Sequence, residues 1–290
     1  MIDEAIRAGK VASKARDLCL KIVKPGVKVF DVAEKIEAKI ISSGCSIAFP
    51  VNISINELAA HDTAMLNDKR VFKKGDVVKV DVGVHVNGFI ADTARTVIAG
   101  EVNNKLVNCV EKCLSEALKV VRPGEKISGV GDVIQGVADS CGFSVVKNLV
   151  GHGLGEYNVH TGVSIPNYKN NEKGVFGEGE LVALEPYLTT GTGNAVGISR
   201  AEIYSLKKFK PVRVRKAREL LDWVVEERKG LPFCKRWLKG YGNQLEFILK
   251  LLTRQGILTE YKVLREVSEK RVSQREDTVL LLEKPIITTK

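Results

Sequence analysis

The 290-residue sequence predicts an α+β protein made of two similar halves, with a helical insertion in the second half. Three observations predict this fold class. A helix–stop–helix pattern occurs twice along the chain, an Asn-Gly pair joins two apolar runs, and one segment carries the whole net charge of +10. The hydrophobic fraction of 44% is enough for a sizeable core.

The helix–stop–helix pattern lies at residues 21–44 and again at residues 119–142, and the two copies align with each other without a gap. Each copy contains the end of a helix, a Pro-Gly stop and an amphipathic segment that ends at glycine, as expected for a second helix. Two copies are too few for a repeat array. We therefore expect two related halves packed about a pseudo-twofold axis.

The stretch VDVGVHVNGFIADTA, residues 80–94, predicts a β-hairpin. Its central Asn-Gly pair favours a type I′ turn, in which both central residues have positive φ. With this turn Asp81 faces Ala94 and Asp92 faces Gly83, and the alternation of side chains places both carboxylates on one face, roughly 7–8 Å apart at the backbone. Such a pair needs a cation or a shared proton, unless both acids lie on a solvated rim.

The second half repeats the first strand of this hairpin. EGELVALE, residues 178–185, resembles KGDVVKVD in the first half and places Glu185 at the position of Asp81. A counterpart of Asp92 is then expected on a returning strand, and Glu276 is the candidate. Four acids that converge on an axis would repel one another unless cations neutralise them. Four carboxylates can hold two divalent ions.

The segment 207–271 contains 18 Lys or Arg and 8 Asp or Glu (18 − 8 = +10), whereas the rest of the chain has no net charge. This asymmetry indicates a separate module, inserted where the first half has only its Asn-Gly turn. We predict a discontinuous main domain, 1–206 and 272–290, and a basic helical insertion subdomain, 207–271. For its charge we favour a solvated helical surface over the alternative, a nucleic-acid-binding patch.

Only four histidines are present, and three of them lie in predicted loops as candidate ligands or acid–base groups. His152 is flanked by glycines in GHGLG, which permits an open loop and close approach of the backbone. His61 and His160 lie in other loops, and for each alone a structural role is the alternative. His85 is near the hairpin turn, where we expect a structural role.

Several classes of protein are disfavoured. No run of about 18 apolar residues is present, so no membrane span is expected, and the first residues lack the apolar core of a secretion signal. The six cysteines form no CxxC pair, and Cys109 and Cys113 are expected in a core, which suits a cytoplasmic protein. No P-loop is present, and no nucleotide site is expected.

Five stretches of the chain together resemble the type II methionine aminopeptidases, and the resemblance covers nearly the whole length. It implies the pita-bread fold, in which two pseudo-symmetric halves form a curved, mainly antiparallel sheet, with the larger domain as the catalytic one. It also implies a helical insertion between the last two metal-ligand glutamates, which agrees with the basic segment. No long polar extension precedes the first motif, so the archaeal form is the nearer match. The stretches are FPVNISINELAAHDTA (49–64), VDVGVHVNGFIADTA (80–94), GHGLG (151–155), ALEPYL (183–188) and QREDT (274–278).

By this resemblance the protein is a metallo-exopeptidase that removes the N-terminal methionine from nascent proteins and peptides. Asp81, Asp92, His152, Glu185 and Glu276 would bind two divalent ions, with Asp92 and Glu276 bridging them. The identity of the ions stays open among Co²⁺, Mn²⁺, Fe²⁺ and Zn²⁺, although the ligands differ from those of a thiolate zinc site. A water shared by the ions would attack the first peptide carbonyl, and Glu185 would move its proton.

The resemblance also implies which residues contact the substrate. His61 and His160 would be catalytic groups that hydrogen-bond the scissile amide as its charge shifts. Phe49, Val159 and Tyr261 would line the pocket for the methionine side chain. For Phe49 and Val159 ordinary core packing is the alternative.

One motif departs from the family pattern, because Glu276 has the charged neighbours Arg275 and Asp277. Strand alternation sends both neighbours to the opposite face. We therefore expect that neither reaches the metal site and that the ligand role of Glu276 survives.

Two other functions are compatible with the sequence. One is an X-Pro dipeptidase of the same fold, a group that carries a substantial additional N-terminal domain. The other is a non-catalytic pita-bread protein that binds RNA or a ribosome through the basic insertion. The intact set of five ligand positions favours the aminopeptidase. As partners we expect the N-terminal methionine of nascent chains and a transient ribosome contact through the insertion, with no membrane, and we expect a monomer.

Overall fold

The computed structural model describes the whole chain, from Met1 to Lys290, as a mixed α/β structure. Long helices pack against antiparallel sheets in both halves, and the shorter helices are α2 in the first half and α6 and α7 in a segment near the end of the chain. None of the helices has the length and apolar character needed to span a bilayer. The α-helices are α1 (Ile2–Asp17), α2 (Cys19–Ile22), α3 (Val29–Ser42), α4 (Lys105–Val120), α5 (Ser128–Cys141), α6 (Arg215–Trp223) and α7 (Leu245–Arg254).

Fifteen strands form four sheets in which every pair is antiparallel. The strands are β1 (Ser46–Ile55), β2 (Leu58–Ala60), β3 (Val77–Val86), β4 (Phe89–Ile98), β5 (Ser144–Val145), β6 (Gly151–Leu154), β7 (Ser164–Ile165), β8 (Leu181–Leu184), β9 (Tyr187–Thr189), β10 (Ala195–Leu206), β11 (Phe233–Cys234), β12 (Leu258–Glu266), β13 (Val272–Gln274), β14 (Asp277–Leu280) and β15 (Ile286–Ile287). The sheet orders are β1-β3-β4, β15-β14-β8-β6-β7, β11-β10-β12-β2 and β13-β9-β5. In the first two sheets β3 and β4 correspond to β8 and β14.

The predicted hairpin is formed by β3 and β4. Asp81 pairs with Ala94, and Asp92 pairs with Gly83. The turn residue Asn87 has a φ of 51°, and the glycine after it has a φ of 91°. Positive φ at both positions is the requirement of the type I′ turn. The register is the predicted one, and both carboxylates lie on the same face of the hairpin.

The two copies of the helix–stop–helix pattern fold alike, as predicted. The Gly26 amide donates to the carbonyl of Phe72 at 2.8 Å, and the equivalent Gly124 amide donates to Phe176 at 2.8 Å. Helices α3 and α5 follow these stops, and a glycine with positive φ comes after each helix, at 68° and 75°. The duplication in the sequence is therefore a duplication of local structure.

The two halves meet where β4 crosses the start of β14. The amide of Glu276 donates to the carbonyl of Ala94 at 3.0 Å, and the reciprocal hydrogen bond is 3.3 Å. On either side of this pair, the hydroxyls of Thr96 and Thr278 each donate to a carbonyl of the other half at 2.7 Å. The pattern is the same when the halves are exchanged, so the pseudo-twofold axis passes between Ala94 and Glu276.

The register of the second half corrects one prediction. The pairing of β8 and β9 with β14 and β13 sets Glu276 opposite Glu185. In the first half the residue opposite the equivalent acid is Ala94, so Glu276 corresponds to Ala94, and the counterpart of Asp92 is Gln274. The prediction that Glu276 corresponds to Asp92 is wrong by two positions. Two residues are a full strand period, so Glu276 still faces the predicted side.

The second half is completed by the long strand pair β10–β12, which carries a segment with its own core. Fourteen buried residues between Tyr204 and Leu258 form this core. Besides α6 and α7, it contains a π-helical turn, Val224–Arg228, and an irregular 3₁₀ segment, Lys235–Gln244. The expected helices are present, whereas residues 207–214 have no regular secondary structure and β12 is a strand that pairs with β2 of the first half.

Buried arginines tie this segment to the first half. Arg236 pairs with Glu37 of α3, with a shortest distance of 2.6 Å, and Trp237 donates to the same carboxylate at 2.9 Å. Arg228 donates to the carbonyls of Ile47 and Ala48 in β1 at 2.9 and 3.0 Å. The segment is therefore docked on the main body by desolvated, directional contacts.

Candidate metal centre

A cavity of about 340 Å³ lies where strands of both halves converge. No lysine or arginine lines it, although the chain as a whole is basic. The structure brings together every residue that the sequence predicted for the site. These lining residues are Phe49, His61, Asp81, Asp92, His152, Val159, His160, Glu185, Tyr261 and Glu276.

The five predicted ligands are presented by strands or by residues directly beside them. Asp81 is on β3, Asp92 on β4 and His152 on β6, while Glu185 follows β8 and Glu276 lies between β13 and β14. The prediction that His152 lies in a loop is therefore wrong, because its glycine-flanked stretch is a strand. His152 Nε2 is 3.8 Å from Asp92 Oδ2 and 3.6 Å from Glu185 Oε1. One ligand atom each of Asp92, His152 and Glu276 lies within 4.8 Å of the other two. This spacing suits coordination of a shared ion.

Burial raises the pKa values of all four carboxyl groups, and repulsion from neighbouring carboxylates adds to the rise for Asp92, Glu185 and Glu276. Burial raises the pKa of Asp81 to about 7. Burial, followed by repulsion from Asp81 and Glu185, raises the pKa of Asp92 well above its ordinary value. Burial and neighbouring carboxylates act in the same direction on Glu185 and Glu276. The four groups cannot all ionise near neutral pH unless a positive charge compensates them.

The residues fit divalent cations. Asp81 Oδ1 and Asp92 Oδ1 are buried without a hydrogen-bond partner, although buried polar atoms nearly always have one. Burial lowers the pKa of His152 to about 3, so its imidazole is neutral, which is the state that ligates metals. Carboxylate oxygens with one imidazole are suitable donors for hard or borderline divalent ions.

Two polar residues beside the carboxylates were missed by the sequence predictions. Gln274 Nε2 lies 3.4 Å from Oε2 of both Glu185 and Glu276. Tyr187 lines the cavity and is fully buried. Tyr187 is two positions from Glu185, and Gln274 is two positions from Glu276. Because side chains two positions apart along a strand share a face, strand alternation was a signal that could have found both residues.

The two candidate substrate histidines lie beside the ligands and have lowered pKa values. Burial lowers the pKa of His61 to about 4, and it also lowers the pKa of His160. His61 Nδ1 donates to the carbonyl of Lys262 at 3.3 Å, which leaves Nε2 available. The His160 ring centroid is 4.4 Å from that of His152. Both rings are therefore placed to hydrogen-bond a ligand of the cavity.

The apolar side of the cavity contains the three predicted pocket residues. Phe49 and Val159 belong to a buried apolar cluster and also line the cavity, so core packing and wall formation apply together. Tyr261 packs edge-on against His61, with ring centroids 5.4 Å apart. An apolar side chain bound here would lie between these groups and the carboxylates.

The charged neighbours of Glu276 do not line the cavity, as predicted. Arg275 Nε donates to Glu111 at 2.9 Å, away from the site. Asp277 accepts from the buried Arg16 at 2.9 Å. The two residues join strands and helices of the opposite layer, and they leave Glu276 as the carboxylate of this stretch that faces the cavity.

His85 also lies outside the cavity, as expected for a structural role. Its Nδ1 accepts a hydrogen bond of 3.2 Å from the amide of Gly88. Its ring packs edge-on against Tyr157, with centroids 5.4 Å apart. His85 therefore braces the hairpin turn.

Comparison with known proteins decides the family. The sequence model of metallopeptidase family M24 matches residues 3–208. The chain belongs to this family. A methionine aminopeptidase of Archaeoglobus fulgidus is 46% identical over 280 residues, which are 96% of this chain and 94% of that protein. The resemblance to archaeal methionine aminopeptidases is confirmed, and with it the prediction of a metallo-aminopeptidase, a hydrolase.

Solved structures of M24-like fold confirm the predicted architecture. The crystal structure of methionine aminopeptidase from Thermotoga maritima has a TM-score of 0.73 at 25% identity, and the match covers 100% of this chain and 96% of that one. Prolidase from Pyrococcus furiosus has a TM-score of 0.64 at 19% identity, with 63% of its chain covered. The second likeness is one of fold alone. The pita-bread fold is thus confirmed.

Proposed function

We propose that this M24 enzyme removes the N-terminal methionine from nascent proteins and peptides, with Asp81, Asp92, His152, Glu185 and Glu276 as ligands of two divalent ions. The convergence of these five residues in one cavity carries the proposal. When bound, the ions supply a Lewis acid for the peptide carbonyl and lower the pKa of the attacking water. Co²⁺, Mn²⁺, Fe²⁺ and Zn²⁺ are the candidates.

The remaining chemistry comes from side chains of the chain itself. The Glu185 carboxylate accepts the proton of the attacking water and returns it to the leaving amine nitrogen. His61 and His160 hydrogen-bond the scissile amide, which stabilises the charge that develops there. Phe49, Val159 and Tyr261 hold the methionine side chain. The free α-amino group is bound beside the carboxylates, so an internal peptide bond is not a substrate.

The organisation of the chain follows the same proposal. Residues 1–206 and 272–290 form the catalytic domain, and residues 207–271 form the basic subdomain. The enzyme acts as a monomer in the cytoplasm, where its six free cysteines stay reduced. Its partners are nascent chains, with a transient ribosome contact through the basic subdomain.

Hydrolysis of Met-Ala-Ser tests this function. Protein stripped with a chelator should be inactive, and added Mn²⁺ or Co²⁺ should restore release of methionine. N-acetylated Met-Ala-Ser is the matched control, and it should stay intact because it lacks the α-amine. Cleavage of Ala-Pro in place of Met-Ala-Ser would identify an X-Pro dipeptidase instead. Inactivity on both peptides with metal bound would contradict an enzymatic role.

A further inference from the structure

The first twelve residues of the basic subdomain form a distinct surface, which we call the basic strap. Its sequence, KKFKPVRVRKAR (207–218), contains seven Lys or Arg and no acid. All seven basic residues are exposed. The strap leads from the end of β10 into α6, and residues 207–214 have no regular secondary structure.

The charge of the basic strap is largely uncompensated. Lys207, Lys208, Arg213 and Arg218 form no ion pair. Arg215 and Lys216 share a single partner, Glu219, and Lys210 donates to the backbone carbonyl of Gln255 at 2.7 Å. A solvated helical surface normally alternates its charges and pairs them along the helix. Over its non-helical part, residues 207–214, the strap neither alternates its charges nor pairs them.

The backbone of the strap is anchored to the rest of the subdomain. The amides of Lys207 and Lys208 both donate to the carbonyl of Ile257, at 2.8 and 3.2 Å. Val212 is buried in the core of the subdomain. Phe209, by contrast, is 58% exposed. The surface therefore combines exposed cations on an anchored backbone with one exposed aromatic ring.

We propose that the basic strap binds the phosphodiester backbone of RNA, with Phe209 stacking on a base. A positively charged track with an interleaved aromatic residue is the arrangement that binds single strands without sequence preference. An acidic membrane is less suitable, because binding in the interface needs a continuous apolar face. Here only Phe209 and Val214 are exposed apolar residues of the strap.

The choice of RNA rests on the proposed function, because nascent chains are met on the RNA-rich surface of a ribosome. The position of the strap fits this role. It begins four residues after Ile203, which lines the cavity. An extended chain of four residues spans roughly 13 Å. RNA held by the strap would therefore lie close to the cavity that receives the first residue of the nascent polypeptide.

Binding of a fluorescein-labelled, mixed-sequence 20-nucleotide RNA to the full-length protein tests the proposal, measured by anisotropy. If four phosphates are neutralised, affinity should fall about fiftyfold between 50 and 200 mM KCl, because the slope for single strands is about −0.7 per phosphate. The variant Lys207→Gln/Lys208→Gln/Arg213→Gln should lose most of this affinity and this slope. Phe209→Ala should weaken binding about tenfold at constant slope.

The matched control removes three exposed lysines elsewhere, Lys10→Gln/Lys24→Gln/Lys173→Gln, with the same change in net charge. It should bind RNA nearly as the parent does. Equal losses in both triple variants would overturn the proposal, since general charge would then explain binding. So would preference for DNA of the same sequence or for phosphatidylserine vesicles. Both triple variants should hydrolyse Met-Ala-Ser normally, so a failure here is separate from a failure of the proposed peptidase function.

Discussion

Replacing Gly83 by alanine should push a ring into the cavity and weaken substrate binding without removing the metal. Gly83 pairs with Phe49 across β1 and β3. A Cβ at this position would lie 2.2 Å from Phe49 Cε1, whereas ordinary contacts begin at 3.4 Å. The ring must therefore move by at least 3.4 − 2.2 = 1.2 Å. Its free side is the cavity, because its other contacts are in a buried apolar cluster.

The displaced ring takes space that the methionine side chain needs in the proposed pocket. Overpacking of this kind costs about 1–3 kcal/mol. If 1.4 kcal/mol of this cost falls on the complex, KM for Met-Ala-Ser rises about tenfold. The kcat value should change less, because the carboxylates and His61 keep their places.

Steady-state kinetics, bound-metal analysis and thermal unfolding together check this prediction. Gly136→Ala on α5 is the control, since its Cβ meets nothing within 4 Å and should leave KM unchanged. Adding Phe49→Leu to Gly83→Ala should recover part of the lost affinity. An unchanged KM in a folded, metal-loaded Gly83→Ala protein would refute the placement of Phe49 in the methionine pocket.

Three further predictions concern stability, pH and metal. Glu37→Ala leaves Arg236 with the half-exposed Glu34 as its remaining carboxylate partner, so the cost should lie at the lower end for a broken buried ion pair, about 3 kcal/mol, in urea unfolding followed by tryptophan fluorescence. A loss below about 1 kcal/mol would show that the docking contact is unimportant. Burial raises the pKa of Glu266, but hydrogen bonds from Ser268, Lys270 and Thr192 outweigh it and lower the pKa to about 2. Glu266 therefore stabilises the fold above the unfolded pKa by about 1–2 kcal/mol, and the advantage of the parent over Glu266→Gln should disappear as the pH falls from 5 to 2; a constant difference would contradict this. Asp92→Asn should abolish metal binding and activity, yet it should raise the melting temperature of the metal-free protein, because one buried, repelled carboxylate is gone. Metal analysis measures the first effect and calorimetry the second, and a lower melting temperature would contradict the electrostatic argument.

The parts of the fold that sequence could predict are those encoded over short distances. The Asn87-Gly88 pair needs only two residues to set a turn type, and the turn then fixes the register of ten pairs in β3 and β4. The duplicated stops at Gly26 and Gly124 are equally local. The candidate ligands came from these patterns together with the family resemblance, and all of them line one cavity.

The missed features depend on contacts between distant parts of the chain. Glu185 and Glu276 are separated by 91 residues, so no turn chemistry could fix their register, and the counterpart of Asp92 was misplaced by one strand period. The pairing of β12 with β2 joins residues near 264 to residues near 60, and no local pattern announces it. Gln274 differs from these cases, because it is an uncharged residue followed by three charged ones, and an amide side chain carries no electrostatic signal of a cation site.

The corrected register explains why the site departs from the symmetry of the fold. Around the axis, Ala94 lies directly opposite Glu276, and Gln274 is the counterpart of Asp92. Acids at both directly opposed positions would have Cβ atoms about 4.5–5.5 Å apart, which maximises repulsion. Acids at the positions of Asp92 and Gln274 would be separated by four residues along the strands, roughly 13 Å, too far for a shared ion. The chain has one acid at a directly opposed position, Glu276, and one at the other kind of position, Asp92. The two are diagonal neighbours, and their ligand atoms come within 4.8 Å of each other and of His152. A two-residue departure from symmetry thus sets the spacing that a shared cation needs.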